Sequence, residues 1–368
     1  MTRTSIRLAT PDPHHLSADI GGAPLDFWTE DVPITRSPEA IGSALLEPAL
    51  ETGSTLAFDE QLDQIWIDGT RQILPIYRKW WSYPERYPIE GPSRPPDPAG
   101  RHAGVGACFT GGVDSFYTSL LGSNASRITH LVYVHGYDID LDDMPRMQAF
   151  EPSLRRVAAE LGRGLLIVRT NLRKHPLFAA AKWERSHGGA LIAAGHVLSE
   201  AIGTLVIPSS WTPDDSPPWG SHFDTDPLHS SSRLELVHDD AELQRRQKLQ
   251  AIASRQIVRE NLRVCWENRT ARGNCSSCEK CLRTMTILAG VGELHHYPVF
   301  AQDRPLAAML DAQPFFTHHL ASTWQLIHDD PLPADVRAAV GRLIKRSEAM
   351  GTIRARAWRR VKRLLRPG

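Results

Sequence analysis

Two adjacent glycines, two hydroxyl side chains and a carboxylate lie together in the run Phe109-Thr110-Gly111-Gly112-Val113-Asp114-Ser115. Glycine permits backbone conformations closed to other residues, and it removes the Cβ atom that would hold an anion at a distance. Backbone N–H groups and the positive end of the following helix then converge on the anion. The run therefore predicts a phosphate-binding loop, which differs from the Walker A loop because the Gly-Lys-Ser or Gly-Lys-Thr ending is absent.

Four of the five cysteines form a second group, at Cys265, Cys275, Cys278 and Cys281. This spacing suits one tetrahedral ion with four thiolate ligands, which predicts a structural Zn²⁺ site. An iron–sulfur cluster is an alternative, because three closely spaced cysteines also hold one, and disulfides are another. The fifth cysteine, Cys108, lies in the apolar stretch before the loop and is predicted to be a small buried side chain rather than a nucleophile.

The two motifs together resemble a known enzyme superfamily. The loop is similar to the Ser-Gly-Gly-x-Asp-Ser signature of the PP-loop ATP pyrophosphatases, with Thr110 in place of the first serine. The cysteine pattern, which runs into Leu282 and Arg283, resembles that of the 7-cyano-7-deazaguanine synthase subgroup, an enzyme of queuosine biosynthesis. The similar region covers residues 104–288.

The resemblance implies an ATP-dependent ligase that forms AMP and pyrophosphate. In the family, the loop holds the β- and γ-phosphates of ATP, AMP is transferred to a substrate oxygen, and a nitrogen nucleophile displaces AMP to give an amide and then a nitrile. The catalytic residues are expected to be Asp114, which would orient Mg²⁺, together with Ser115, Lys248 and Arg283. The substrate is expected to be a deazapurine or another small heterocycle or carboxylate. Sulfur transfer, or modification of tRNA or a protein terminus, is the alternative use of the same activation.

Strand-like and helix-like segments alternate between the motifs, as a doubly wound parallel α/β sheet requires. Strands are predicted at 105–109, 128–134, 165–168 and 205–207, and helices at 147–161 and 190–202. Ligands bind at the carboxyl ends of such strands. His135 and Arg169 are therefore predicted to contact the nucleotide, and Ser209 the substrate. A turn cap and a solvated charge are the alternative interpretations of His135 and Arg169.

Residues 219–230 form a connection rich in polar and aromatic side chains. Loops of this kind often bind substrate, which is the role predicted for His222, Asp224 and Asp226. A plain surface loop and a second metal site that includes His229 are the alternatives. The segment departs from the deazaguanine synthase pattern, so a different substrate is expected.

The remaining residues predict four regions. Residues 1–82 form an N-terminal α+β appendage with strands at 5–8 and 25–28 and helices at 38–50 and 60–81, and residues 83–102 form a Pro-rich linker. The PP-loop domain spans 103–290, with its zinc knuckle at 265–281, and a helical region with a basic tail spans 291–368. The appendage is open to three roles: covering the ATP, selecting the substrate, or forming a homodimer.

Composition argues against a membrane protein. Formal net charge is zero, the pI is about 7.3, and no apolar run resembles a signal peptide or a bilayer span, so a cytoplasmic location is expected.

The basic tail predicts either a solvated helix or a surface for RNA or an acidic protein. A nucleotide-responsive zinc-binding interaction protein is the alternative outside the enzyme class. The basic residues of the tail are Arg342, Lys345, Arg346, Arg354, Arg356, Arg359, Arg360, Lys362, Arg363 and Arg366.

Overall fold

The computed structural model describes residues 2–239, 241–270, 273–317 and 320–364, with side chains as far as residue 351. No helix among these residues is long and apolar enough to cross a membrane. Of the predicted basic tail, the structure describes Arg342, Lys345 and Arg346. The side chains from Arg354 to Arg366 lie outside the described residues.

Twelve strands occur in the described chain. They are β1 (Arg3–Asp12), β2 (His15–Ile20), β3 (Ala23–Trp28), β4 (Thr55–Phe58), β5 (Leu62–Asp63), β6 (Ile89–Glu90), β7 (Ser93–Arg94), β8 (Val105–Cys108), β9 (His130–His135), β10 (Gly164–Thr170), β11 (Thr204–Pro208) and β12 (Glu235–Asp239).

Twelve α-helices accompany them over the same described ranges. They are α1 (Pro38–Thr52), α2 (Gln64–Trp81), α3 (Val113–Leu120), α4 (Met144–Glu160), α5 (Pro176–Ala179), α6 (Trp183–Val197), α7 (Arg245–Ile252), α8 (Gln256–Asn261), α9 (Glu279–Gly290), α10 (Leu306–Ala312), α11 (Ala321–Asp329) and α12 (Ala334–Leu364).

Five parallel strands form one half of the main sheet, in the order β12-β11-β8-β9-β10 with β12 at the edge. The chain starts at β8, moves outward through β9 and β10, and returns to β11 on the other side of β8. The strand order therefore reverses between β8 and β11, which is where open α/β sheets have their ligand crevice. The α/β class with a large, mostly parallel sheet agrees with the sequence-based expectation and is compatible with a doubly wound fold.

The N-terminal strands continue this same sheet. β3 pairs antiparallel with β10 through Arg169 opposite Trp28 and Thr170 opposite Phe27. Antiparallel β2 and β1 follow, and then parallel β4 and β6, so that the sheet has ten strands. Residues 1–82 were expected to form an appendage of their own. The structure instead pairs β3, the strand that adjoins β10 in the sheet order, with the carboxyl end of β10, so the N-terminal strands extend the parallel sheet.

Helix α1 lies in the interior, with all of its residues from Pro38 to Leu50 buried. It packs against α6. Gly189 of α6 makes this close approach possible, because a Cβ atom there would lie 2.1 Å from the carbonyl oxygen of Ser43. The two helices thus share a seam in which backbone meets backbone.

The described chain divides into two compact units. Unit 1 comprises Met1–Thr110 and Asp114–Arg245, and unit 2 comprises Gly111–Val113 and Arg246–Gly368. Unit 1 contains both sheets, and unit 2 contains the cysteine group and helices α8 to α12. The boundary at Arg245 differs from the predicted boundaries at residues 82, 102 and 290, since the β3–β10 pairing joins the first strands to the parallel sheet.

Candidate functional site

The predicted phosphate loop begins where β8 ends. Phe109 continues the strand pairing by donating its N–H to the carbonyl of Val132 (2.8 Å), and its buried ring packs edge-on against Phe116 with 5.0 Å between ring centroids. Gly111 then adopts φ +72°, in the left-handed region that favours glycine. Helix α3 starts at Val113. The local geometry is the strand, glycine turn and helix that the sequence predicts.

Asp114, in the first turn of α3, accepts hydrogen bonds from two residues that are distant in sequence. Its Oδ2 accepts hydrogen bonds from Ser210 Oγ (3.0 Å) and from Arg245 Nε (3.0 Å) and Nη2 (2.5 Å). Arg245 Nη2 also donates to Ser210 Oγ at 2.8 Å. The three side chains form a closed triangle in which the arginine meets the carboxylate through two nitrogens. Such bidentate, charge-assisted pairs are among the stronger hydrogen bonds in proteins.

This triangle lies at the reversal of strand order. Asp114 follows β8 and Ser210 follows β11, the two strands between which the order changes. Arg245 was not among the residues predicted from the sequence. The available signal was its place three residues before the predicted Lys248, in the run Arg245-Arg246-Gln247-Lys248. Sequence spacing alone did not show which of these cations meets the carboxylate.

The middle of the loop is anchored within unit 2. The carbonyl of Gly111 accepts a hydrogen bond from the backbone N–H of Arg263 at 2.8 Å. Two residues further on, the backbone N–H of Cys265 donates to Asn274 Oδ1 (3.2 Å), as does that of Val264 (2.9 Å). One extended segment therefore fixes both the glycine of the loop and the first cysteine of the metal-binding group.

The four cysteines come together as predicted. Their sulfur atoms all lie within 4.8 Å of one another, and Cys265, Cys278 and Cys281 are buried. The Sγ atoms of Cys265 and Cys278 are 3.9 Å apart, as are those of Cys275 and Cys281. Thiolates at about 2.3 Å from a tetrahedral zinc ion lie about 3.8 Å from each other, so the group has the size of a single-ion site.

The disulfide alternative is wrong, because all five cysteines are free and a disulfide would bring two sulfur atoms to about 2.05 Å. Hydrogen bonds from Cys278 and Cys281 lower the pKa of Cys265, so a thiolate forms there readily. A cluster in which each cysteine binds a different iron would spread the four sulfurs further apart than they lie here. The arrangement fits one ion such as Zn²⁺.

Two of the three other predicted catalytic residues, Lys248 and Arg283, lie in unit 2. Lys248, on α7, is completely buried, which for a lysine requires polar partners. Arg283, on α9, pairs through Nε with Glu279 Oε1 at 3.2 Å, and the same carboxylate oxygen accepts a hydrogen bond from Trp324 Nε1. Arg283 is thus held by its own helix. The catalytic roles of Lys248, Arg283 and Ser115, which is buried in α3, stay predictions.

His135 and Arg169 have partners other than the triangle. His135 Nε2 lies 3.1 Å from the carbonyl oxygen of Asp140, and burial lowers the pKa of this histidine. Arg169 forms an ion pair with Glu30 at 3.1 Å. The contact of His135 matches its alternative interpretation as a turn cap, whereas Arg169 is ion-paired rather than solvated, and the predicted nucleotide contacts of both residues stay predictions.

Asp226 organises the 219–230 segment. It is 1 % exposed, and its Oδ2 accepts a hydrogen bond from Ser221 Oγ (2.6 Å) and lies 2.8 Å from His238 Nδ1. Its Oδ1 accepts the backbone N–H of His222 at 3.1 Å. Asp224 is more than half exposed. The sequence-based prediction did not include His238, because this residue lies on β12, outside residues 219–230.

Two histidines of this segment, His222 and His229, favour the neutral form of the imidazole. His222 Nδ1 accepts the backbone N–H of Asp224 at 3.0 Å, and burial lowers the pKa of His222. Burial also lowers the pKa of His229, to about 4. Within the part of the chain that the structure describes, only the four cysteines form a group able to hold a metal ion, so the second metal site considered for His222 to His229 does not form.

A row of aromatic rings runs between the ends of β9 and β11. Neighbouring ring centroids lie 5.5 to 6.2 Å apart, in the order Tyr137, Trp183, His187, Trp219 and Trp211. Tyr137 follows β9, and Trp211 follows β11. We call these five side chains the aromatic row.

Two polar groups accompany the aromatic row. The guanidinium of Arg173 lies 4.6 Å from the ring of Trp183, and Ser209 Oγ donates to the carbonyl of Trp211 at 2.7 Å. The predicted substrate residue Ser209 thus shapes the turn that carries one of the rings.

Comparisons of this chain with protein-family models, with curated proteins and with solved structures return no match.

Proposed function

We propose that this protein is an ATP pyrophosphatase-type ligase that transfers AMP from ATP to a carboxylate or carbonyl oxygen of a small substrate, with release of pyrophosphate. A nitrogen nucleophile then displaces AMP. Activation is necessary because a carboxylate or amide oxygen is a poor leaving group, whereas AMP is a good one. The proposal follows from the PP-loop resemblance of residues 109–115 and is supported by their geometry.

The observation that carries the proposal is the position of Asp114. Its carboxylate lies in the first turn of a helix that follows a glycine turn, at the reversal of strand order, beside Arg245 and Ser210. Such a helix start offers N–H groups to an anion, and an arginine there stabilises charge that develops on departing pyrophosphate. Asp114 is the residue that would hold Mg²⁺, which screens the phosphate charge when bound.

The aromatic row supports a flat heterocyclic substrate. It lies at the carboxyl ends of strands on both sides of β8, where ligands of α/β sheets bind. Stacking on such rings favours planar molecules, and the adjacent Arg173 suits a carboxylate on that ring system. A deazapurine carboxylate has both properties.

Nitrogen is favoured over sulfur as the displacing atom. Sulfur transfer requires a reactive thiolate, and Cys108 is the one cysteine outside the metal-binding group. Burial, with a smaller contribution from Asp226, raises the pKa of Cys108 to about 12, so its thiol stays protonated at neutral pH.

The test is to incubate the protein with Mg²⁺-ATP, a 7-deazaguanine that carries a 7-carboxylate, and ammonium, and to separate the nucleotide products. AMP and pyrophosphate are expected in equal amounts, dependent on the carboxylate. Asp114→Asn is expected to lower this turnover by at least about 100-fold, because the residue acts on the reacting phosphates. Formation of ADP and phosphate, or failure of the wild-type protein to bind ATP, would refute the proposal.

A further inference from the structure

Three donor atoms, Ser210 Oγ and Arg245 Nε and Nη2, already share the carboxylate of Asp114. Arg245 donates to both of its oxygens, at 3.2 Å to Oδ1 and 3.0 Å to Oδ2 through Nε, and Ser210 occupies Oδ2 as well. A magnesium ion requires a carboxylate lone pair at about 2.1 Å in near-octahedral geometry. The guanidinium of Arg245 and a magnesium ion therefore compete for the same carboxylate, and their positive charges repel each other there.

Arg245 is also suited to a second partner. Its side chain is about one quarter exposed and that of Asp114 is 14 % exposed, so the pair lies at the surface of the crevice and separates without unfolding. A guanidinium released from Asp114 remains next to the loop, since Arg245 begins α7 and its backbone is fixed there. Its planar set of donors matches a phosphate as well as a carboxylate.

We infer that Arg245 pairs with Asp114 until a divalent cation binds that carboxylate, then leaves Asp114 and binds a phosphate of ATP. The inference rests on the proposed ATP binding and assigns to Arg245 a role that the sequence motifs did not indicate. Asp114 exchanges one cation for another, and the arginine exchanges one anion for another. Each of the two side chains thereby keeps a partner of opposite charge in both states.

Two variants separate the two halves of this exchange. Arg245→Gln removes the competitor of the metal, so Mn²⁺ alone, measured as bound ion by electron paramagnetic resonance, is expected to bind about fivefold more tightly. The same variant lacks the phosphate ligand, so ATP at saturating Mg²⁺ is expected to bind at least about tenfold more weakly. Ser210→Ala removes one hydrogen bond of the closed state and is expected to strengthen Mn²⁺ binding while leaving ATP affinity at saturating Mg²⁺ unchanged.

Arg233→Gln is the matched control. Arg233 lies in the same unit with 21 % of its side chain exposed and pairs with Asp97 and Glu200, before the amino end of β12. It is expected to leave both affinities unchanged, and thermal unfolding confirms that each variant is folded.

The opposite shifts of the two affinities distinguish the exchange from a structural role. If both affinities of Arg245→Gln fall together, or neither changes, while wild-type protein binds ATP, the inference is wrong and the proposed function stands. If wild-type protein binds no ATP, the proposed function fails and this inference with it.

Discussion

Glu47 on helix α1 is a carboxyl group in the interior of unit 1. It is 3 % exposed, its Oε1 accepts a hydrogen bond from Tyr83 Oη at 2.5 Å, and its enclosed Oε2 has no hydrogen-bond partner among the residues that the structure describes. Burial, reinforced by the nearby Glu51, raises the pKa of Glu47 to about 7. The ionised form is therefore costly in the folded protein.

The raised pKa of Glu47 determines the direction in which the free energy of unfolding changes with pH. Because the pKa of Glu47 is higher in the folded protein than in the unfolded chain, protonated Glu47 contributes its full stabilisation below the unfolded pKa of about 4.5. This contribution is lost as the pH rises through the folded pKa of about 7. Glu47→Gln is expected to remove this loss and to be more stable than wild type at pH 8 by up to about 3 kcal/mol. Urea unfolding from pH 5 to pH 8 measures the slope of the free energy of unfolding against pH. Glu90→Gln, at a side chain that is about half exposed, should keep the wild-type slope. An unchanged slope in Glu47→Gln would contradict the assignment.

Single residues differ in how far the sequence reveals them. Gly111, Asp114 and the cysteines were found because their chemistry is encoded in short runs. Arg245 was not found because it lies 131 residues from its partner Asp114, and His238 was not found because it lies on β12, outside the 219–230 segment that contains its partner Asp226. Local spacing identifies one partner of such a pair, and only the folded chain identifies the other.

At the scale of elements, the seam between α1 and α6 depends on the absence of side chains. Gly189→Ala would place a methyl group 2.1 Å from the carbonyl oxygen of Ser43, so the helices must separate. We expect a loss of about 2 kcal/mol in the free energy of unfolding, as overpacking in cores typically causes.

A helical glycine with open space around it provides the control for this seam. A methyl group at Gly351 on α12 meets no atom of the described residues within 4 Å, so Gly351→Ala should stabilise by about 0.5 kcal/mol through helix propensity. Equal effects of the two substitutions, measured by denaturant unfolding, would show that the seam is not tightly packed.

The metal-binding group supports the start of helix α9, for which Cys278 is the N-cap residue. Cys278→Ser, or removal of the ion by a chelator, is expected to lower Tm by about 10 °C or more, because metal binding to such sites contributes directly to folding. It should also weaken ATP binding, since the Arg263 to Cys265 segment holds the carbonyl of Gly111. Metal content, Tm and ATP affinity measure the effect. Cys108→Ser should retain one ion per chain, and loss of metal there would contradict the four-cysteine assignment.

The elements most visible in the sequence were those of the central sheet. β8, β9, β10 and β11 were predicted within a few residues, because buried parallel strands are continuous apolar runs. β2, β4 and β12 were missed. β12, Glu-Leu-Val-His-Asp, has a polar composition that an edge strand of the sheet accepts and a central strand would not. The predicted helix at 190–202 is α6, which begins earlier, at Trp183, and ends at Val197.

For the whole chain, the main difference from expectation is the ten-stranded sheet. A chain reduced to residues 103–368 would lose β1 to β7 and both α1 and α2, leaving the β10 edge and the buried face of α6 open. Open edges and apolar faces promote aggregation. We expect this truncation to be insoluble when expressed, in contrast to the full chain, as sedimentation of the lysate would measure. A soluble monomer with cooperative unfolding would instead support an independent domain.

The contacts of the phosphate loop have a consequence for biosynthesis. Asp114 meets Arg245 131 residues further along the chain, and Gly111 meets Arg263 later still. A ribosome-bound chain therefore carries the loop long before it carries the residues that shape it, and long-range contacts of this kind form late. Incomplete chains released early would hold the Gly-Gly-Val-Asp-Ser run without its triangle.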